Sequence, residues 1–232
     1  MLKLSPSTLG DFNKCPACFW FDKKMGKPKP RGIFPSLPGG MDRVLKPWYD
    51  AWRSNGQLPP ELKGKVGGLL FADQAKMTIW RNARGGGLTC TVGEASLHGA
   101  VDDAIDENGA LTILDAKTRG SAPKDGDSER YYGTQMDAYG LLFRENGHPI
   151  TGKGHLAYYW PNLAHEYAGQ AVAGMVVPIH FVFHTEVVNL EIKPGRTLEL
   201  IARIVEALGR DTAPASAPYC EYCNFVSTRT GG

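Results

Sequence analysis

The chain has 232 residues, of which 42% are hydrophobic, and its formal net charge is +2. This length suits one domain with a buried core, and because no run approaches about 18 apolar residues, the sequence excludes a membrane span. The opening MLKLSPSTLG lacks the apolar segment of a secretory signal, so we expect a cytoplasmic protein. Residues 1–90 contain 15 Lys/Arg against 6 Asp/Glu, whereas residues 91–232 contain 11 against 18. A basic first part is compatible with a polyanionic partner, although a solvated surface gives the same pattern.

The first predicted elements are helices. Ser5, followed by a proline, is typical of a helix start and predicts a first helix that ends near Cys15. A basic loop rich in proline and glycine follows over residues 24–40. Apolar residues at helical spacing then predict a second helix around 44–52 and a third from about 61 to 83.

Strands dominate the next part of the chain. Apolar and β-branched segments predict strands, and a helical pattern interrupts them once before a last helix. The predicted strands are 88–94, 96–106, 110–118, 154–160 and 179–192, and the predicted helices are 128–144 and 197–208. This order predicts an α/β fold with a mixed central sheet flanked by helices.

Four of the five cysteines form two pairs with C-x-x-C spacing. Cys15 and Cys18 lie near the first helix, and Cys220 and Cys223 lie about 200 residues further on. In a cytosolic protein this spacing favours metal ligation over a disulfide. Four thiolates suit either a tetrahedral Zn²⁺ or a [4Fe–4S] cluster. Either group would join the N-terminal and C-terminal segments.

An acidic hairpin is the second candidate site. The Asn-Gly pair at 108–109 predicts a two-residue turn. In that register Asp102 lies opposite Asp115, and Lys117 shares a face with Asp115. Because opposed carboxylates destabilise a sheet, they favour a shared proton or a bound divalent cation. A polar hairpin edge is the alternative, and a bulge would bring Asp103 to the site instead.

Five segments in chain order carry a family resemblance. They are SPSTLGDFNKCP, GAVD ending at Asp102, LDAKT beginning at residue 114, QMDAY beginning at residue 135, and CEYC beginning at Cys220. Together they resemble the PD-(D/E)XK nuclease superfamily in its RecB-like exonuclease branch. That branch includes the CRISPR-associated RecB-type nucleases and the nuclease domains of AddAB-type helicase–nucleases.

The resemblance implies a restriction-endonuclease-like core in a single domain over residues 1–232. Its parts would be a helical, basic region over 1–87, a catalytic core over 88–160, and a C-terminal region of strands, helix and cysteine tail over 161–232.

The resemblance also implies roles for individual residues. Asp102 and Asp115 would bind Mg²⁺ or Mn²⁺, and Lys117 would position or polarise the nucleophile. Gln135 and Tyr139, one helical turn apart, would lie beside the active site and contact DNA.

The chain departs from the family pattern at two points. The family's upstream metal-binding histidine has no counterpart, because the first histidine is His98, and Asp42 occupies the nearest position. We therefore expect Asp42 as a possible third metal ligand. The resemblance favours an iron–sulfur cluster at the cysteines, while the two-plus-two spacing suits zinc as well.

The implied function is a Mg²⁺-dependent DNA nuclease of exonuclease type, acting in DNA repair, recombination or CRISPR adaptation. Its substrate would be single-stranded DNA or DNA with free ends, and a helicase or CRISPR-adaptation protein is a possible partner. The missing histidine leaves two alternatives, a catalytically inactive nucleic-acid-binding module and an interaction subunit of a larger nuclease complex.

Overall fold

The computed structural model describes residues 1–30, 32, 36–82, 87–162 and 182–230. Its elements, in chain order, are β1 (Leu2–Leu4), α1 (Pro6–Lys14), α2 (Pro16–Met25), α3 (Ser36–Ser54), β2 (Leu69–Leu70), α4 (Gln74–Trp80), β3 (Leu88–Val92), β4 (Ala95–Gly99), β5 (Asp103–Glu107), β6 (Ala110–Thr118), α5 (Asp127–Glu145), β7 (Ile150–Pro161), β8 (Phe183–Glu191), α6 (Pro194–Gly209) and α7 (Glu221–Thr230). None of these helices combines the length and the apolar character that a bilayer crossing requires.

The strands form two sheets. The larger has the order β2-β5-β6-β7-β8, in which β6 and β7 are parallel and the other neighbours are antiparallel. The smaller has the order β1-β4-β3. Helix α5 lies between β6 and β7 in sequence, as a parallel connection requires. The predicted α/β fold, with mixed sheets flanked by helices, is confirmed.

Helices cover both faces of the larger sheet. Ala104 and Ile113 pack in the main core with residues of α5, whereas Ile105 and Leu114 pack with α3. Because side chains alternate along a strand, residues of β6 with odd numbers face α5. Asp115 and Lys117 therefore face the same helix as Ile113.

The hairpin between β5 and β6 has the predicted turn. Asn108 and Gly109 both have positive φ, 57° and 90°, as a turn of type I′ requires. Glu107 pairs with Ala110 and Asp103 pairs with Leu114. The predicted register is thus present throughout β5.

Two sequence expectations about the first half were wrong. The third helix does not span 61–83, because Gly64 and Gly68 adopt positive φ and break it; the region instead forms turns, β2 and the short α4. The strand expected over 96–106 is two strands in different sheets. The first of them, β4, ends at Gly99, and residues 100–102 connect it to β5. A Cβ at position 99 would lie 2.7 Å from Leu142 Cδ1.

Several elements were not anticipated. Strand β1 pairs in parallel with β4, and α2 and α7 each follow a cysteine. Helix α1 begins as expected, because Ser5 caps it together with Thr8. The first part of the strand expected over 179–192 lies outside the described residues.

Candidate active site

Asp115 and Lys117 lie at the carboxyl end of β6 and form the centre of the site. Asp115 is 1% exposed, and the Lys117 ammonium contacts its Oδ2 atom. Gln135 of α5 joins both groups, because its Nε2 donates to Asp115 Oδ1 at 3.1 Å and its Oε1 accepts from Lys117 Nζ at 3.2 Å. Gln135 Nε2 also lies 2.9 Å from the hydroxyl of Tyr139. Strand β6 and helix α5 thus bring four of the predicted site residues into one network.

Asp102 lies immediately before β5, beside the same carboxylate. Its Oδ2 accepts from the backbone N–H of Ala116 at 3.3 Å. Its side chain is 26% exposed, so the site opens to solvent on this side. The structure therefore brings Asp102 together with Asp115 and Lys117, as the hairpin register predicted.

Burial and the contact between Asp115 and Lys117 together shift the pKa of both groups. Burial raises the pKa of Asp115 to about 7; the charge of Lys117 opposes the shift and the charge of Asp102 adds to it. For Lys117, burial lowers the pKa, but the contact with Asp115 outweighs it and the pKa is raised. Lys117 therefore stays an ammonium.

Asp42 reaches the site through a second lysine. Its Oδ2 lies 2.7 Å from Lys46 Nζ, one helical turn away on α3. Lys46 Nζ in turn lies 3.5 Å from Asp102 Oδ1. Asp42 is predicted from the sequence as a metal ligand, whereas Lys46, which contacts both Asp42 and Asp102, is not predicted.

A buried ion network holds the backbone beside Asp102. Asp103 is fully buried, and its Oδ2 accepts from Arg53 at 2.6 Å and from Arg81 at 2.7 Å. Arg81 also donates through Nε to the carbonyl oxygen of Asp102 at 2.7 Å and binds Asp50. Asp103 thus points away from the active site, so the alternative in which a bulge replaces Asp102 by Asp103 is absent.

Sequence reasoning missed Arg53, Arg81 and also Tyr132, whose ring lies 4.7 Å from Lys117 Nζ. Strand alternation alone predicts that Asp103 points to the α3 side. Its two arginine partners, however, lie far away in the sequence, 50 residues for Arg53 and 22 residues for Arg81. The sequence has no local pattern that predicts such contacts.

An open cleft leads from the surface to Gln135 and Tyr139. Its volume is about 740 Å³, and it lies between α1 and α5. Its wall includes the exposed rings of Tyr131 and Tyr219. Lys14 and Arg130 add positive charge, Asp11 adds negative charge, and the other lining residues are mostly small or polar, among them Ser5, Ser7, Asn13 and Thr134.

The donor set of the hairpin fits a hard divalent cation. Mg²⁺ and Mn²⁺ prefer carboxylate oxygens and keep several waters. Buried Asp115 and partly exposed Asp102 offer such oxygens. Protein groups bind both oxygens of Asp115, because Oδ2 contacts the Lys117 ammonium and Oδ1 accepts from Gln135. The fit to a divalent cation therefore rests on the carboxylate chemistry and on the exposed side of Asp102.

The four paired cysteines form a second site, here called the thiolate site. Their Sγ atoms all lie within 4.8 Å of one another, and the closest pairs are 3.4, 3.6 and 3.8 Å apart. The site joins the start of α2 to the start of α7, so the predicted contact between the two segments is present. Four thiolates that close together are able to share one metal ion.

One cysteine of the thiolate site, Cys15, has a lowered pKa. Burial raises the pKa of Cys15, but N–H groups of Cys18 and Ala217 point at its sulfur and bring the pKa down to about 7. A thiolate is the form that binds metals.

Comparison with known proteins identifies one family. The family model described as the PD-(D/E)XK nuclease superfamily matches residues 66–228. Among curated proteins, no sequence matches the chain. The crystal structure of SSO0001 is similar over 97% of this chain and 85% of that one, with 15% identity and a TM-score of 0.43; a likeness of that degree assigns no function.

Proposed function

The chain belongs to the PD-(D/E)XK nuclease superfamily, and from this premise we propose that it is a Mg²⁺- or Mn²⁺-dependent DNA nuclease. The observation that carries the proposal is the network of Asp102, Asp115, Lys117 and Gln135. Two carboxylates and an ammonium at the end of paired strands are the groups that metal-assisted phosphodiester hydrolysis needs.

Each side chain has a task in this proposal. Asp102 and Asp115 hold the metal, and the chemistry supplied by bound Mg²⁺ or Mn²⁺ is charge neutralisation on the phosphate and a lower pKa for a bound water. Lys117 orients the attacking water and donates a hydrogen bond to it. Gln135 keeps Lys117 and Asp115 in position through its two hydrogen bonds. Tyr139, one helical turn further along α5, supports Gln135 by accepting a hydrogen bond from its Nε2 atom.

The cleft between α1 and α5 supports a single-stranded or free-ended substrate. Exposed rings such as Tyr131 and Tyr219 offer stacking surfaces for unpaired bases. The basic N-terminal part would add salt-dependent attraction for the DNA backbone. The finer parts of this proposal rest on the sequence alone. They are an exonuclease mode, membership of the RecB-like branch, a role in repair, recombination or CRISPR adaptation, a helicase or CRISPR-adaptation partner, and a cytoplasmic location.

For the thiolate site we propose a structural metal that joins the two ends of the domain. The three closest sulfur pairs lie 3.4, 3.6 and 3.8 Å apart, so the four thiolates are close enough to share one tetrahedral Zn²⁺. A [4Fe–4S] cluster, which the resemblance favours, binds each thiolate to a different iron atom. Elemental analysis, together with the absorbance of iron–sulfur clusters near about 400 nm, distinguishes the two groups.

The nuclease proposal is tested with end-labelled single- and double-stranded DNA in the presence of Mg²⁺, Mn²⁺ or EDTA. We expect cleavage that EDTA abolishes, and we expect Lys117→Ala to slow it by about 10²- to 10⁴-fold, as for the loss of a group that assists proton transfer. Lys76→Ala is the matched control, because Lys76 is an exposed lysine of α4 that pairs only locally with Asp73. Equal cleavage by the Lys117 and Lys76 variants would contradict the proposal.

An inactive nucleic-acid-binding module is the second candidate. The observation that favours it is Lys46, a cation beside Asp102 in a chain whose first histidine is His98. DNA binding without cleavage in either metal would support this candidate and exclude the nuclease.

A further inference from the structure

Lys46 places a positive charge beside a proposed metal ligand. Its ammonium lies 3.5 Å from Asp102 Oδ1 and 2.7 Å from Asp42 Oδ2. It also acts electrostatically on Asp115. The Lys46 side chain is 29% exposed, so the ammonium stands at the solvent side of the site, which a metal ion would enter.

Each of the two proposed metal ligands has an ammonium beside it without a metal. Lys117 contacts Asp115, and Lys46 lies 3.5 Å from Asp102. The number of negative ligands and the freedom of the site set its affinity for a divalent cation. A second ammonium against these carboxylates therefore opposes metal binding directly.

Asp42 provides a second carboxylate that the Lys46 ammonium can keep binding when it leaves Asp102. The contact with Asp42 is the shorter of the two, and both residues are in α3, one turn apart. Lys46 is thus able to leave Asp102 by rotation of its flexible stem while it stays bound to Asp42.

We propose that Lys46 competes with the divalent cation for Asp102, so that the free protein binds Mg²⁺ or Mn²⁺ weakly and the ammonium withdraws toward Asp42 as the ion enters. This inference rests on the proposed function, because it takes Asp102 as a metal ligand. It makes Asp42 an anchor for Lys46, a role that differs from direct metal ligation.

The test is Mn²⁺ binding measured by titration calorimetry and by the paramagnetic resonance signal of free Mn²⁺. Mn²⁺ is suitable because it prefers oxygen ligands and leaves the thiolate site alone. We expect Lys46→Met to lower the Mn²⁺ dissociation constant by at least about fivefold, the lower end of the coupling typical between interacting binding events. Arg43→Met is the matched control, since it removes one charge from an exposed position of the same helix, and it should change the constant by less than about twofold.

Asp102→Asn separates failure of this inference from failure of the proposed function. If Asp102→Asn abolishes Mn²⁺ binding but Lys46→Met and Arg43→Met bind alike, the competition is wrong and the metal site stands. If Asp102→Asn binds Mn²⁺ like the wild type, Asp102 is no ligand, and both proposals fail. Tighter binding by Lys46→Met alone supports the competition. Thermal unfolding of each variant checks that the fold is retained.

Discussion

The buried ion network around Asp103 gives a stability prediction whose magnitude follows from the structure. Asp103→Asn removes the charge that faces Arg53 and Arg81, while keeping nearly the same volume. Arg81 retains Asp50 at 2.7 Å, but Arg53, with a side chain 2% exposed, retains Asp50 only at 3.4 Å. Breaking a buried pair by removing one partner costs about 3–5 kcal/mol. Because Asp50 remains nearby, we expect the lower end, about 3 kcal/mol.

Urea denaturation measures this change. With a slope of about 2 kcal/mol per molar for a chain of this size, the midpoint should fall by about 1.5 M. Glu186→Gln is the matched control, because Glu186 is an exposed acid of β8 in the same sheet, and it should change the free energy of unfolding by less than about 0.5 kcal/mol. Equal midpoints for the two variants would refute the argument that Asp103 neutralises a buried guanidinium.

Three further predictions concern the metal sites and the cleft. Burial raises the pKa of Asp115 to about 7, so a proton competes with the metal for this carboxylate. The Mn²⁺ affinity measured by calorimetry should therefore fall as the pH drops from about 8 to about 6. An affinity that does not change with pH would contradict this prediction. Cys220→Ser should lower both the urea midpoint and the zinc or iron content. Cys90→Ser is the control, because Cys90 lies outside the thiolate site, and it should leave the metal content unchanged. If both variants keep their metal, the thiolate site does not bind it. Tyr131→Ala should weaken binding of a single-stranded oligonucleotide by about 5- to 100-fold in an anisotropy titration. Phe225→Ala, an exposed aromatic away from the cleft, is its control, and equal affinities would remove the stacking role.

The sequence predicted the central site because its signals are local. The Asn-Gly pair at 108–109 sets the register of β5 and β6, and the register brings Asp102 to Asp115. Helical spacing places Gln135 and Tyr139 on one face of α5. These steps each span a few residues, so propensity and alternation are sufficient.

The parts that sequence reasoning missed depend on distant contacts or on competing signals. The apolar pattern over 61–83 resembled a helix, but Gly64 and Gly68 break it, and the short β2 is fixed by pairing with β5. Lys46 meets Asp102 across 56 residues, and Arg81 meets Asp103 across 22 residues. Tertiary packing decides such encounters, and a single sequence carries no mark of them.

The acidic doublet at 102–103 sends one carboxylate to each side of the sheet. Insertion of one residue in β5 between Ala104 and the turn would move Asp103 into the place of Asp102 and bring Ala104 to the place of Asp103. The candidate active site would then still receive an acid, while Arg53 and Arg81 on the other face of the sheet would lose theirs. Chains that carry such an insertion should therefore fail first by unfolding and only secondarily by losing their chemistry.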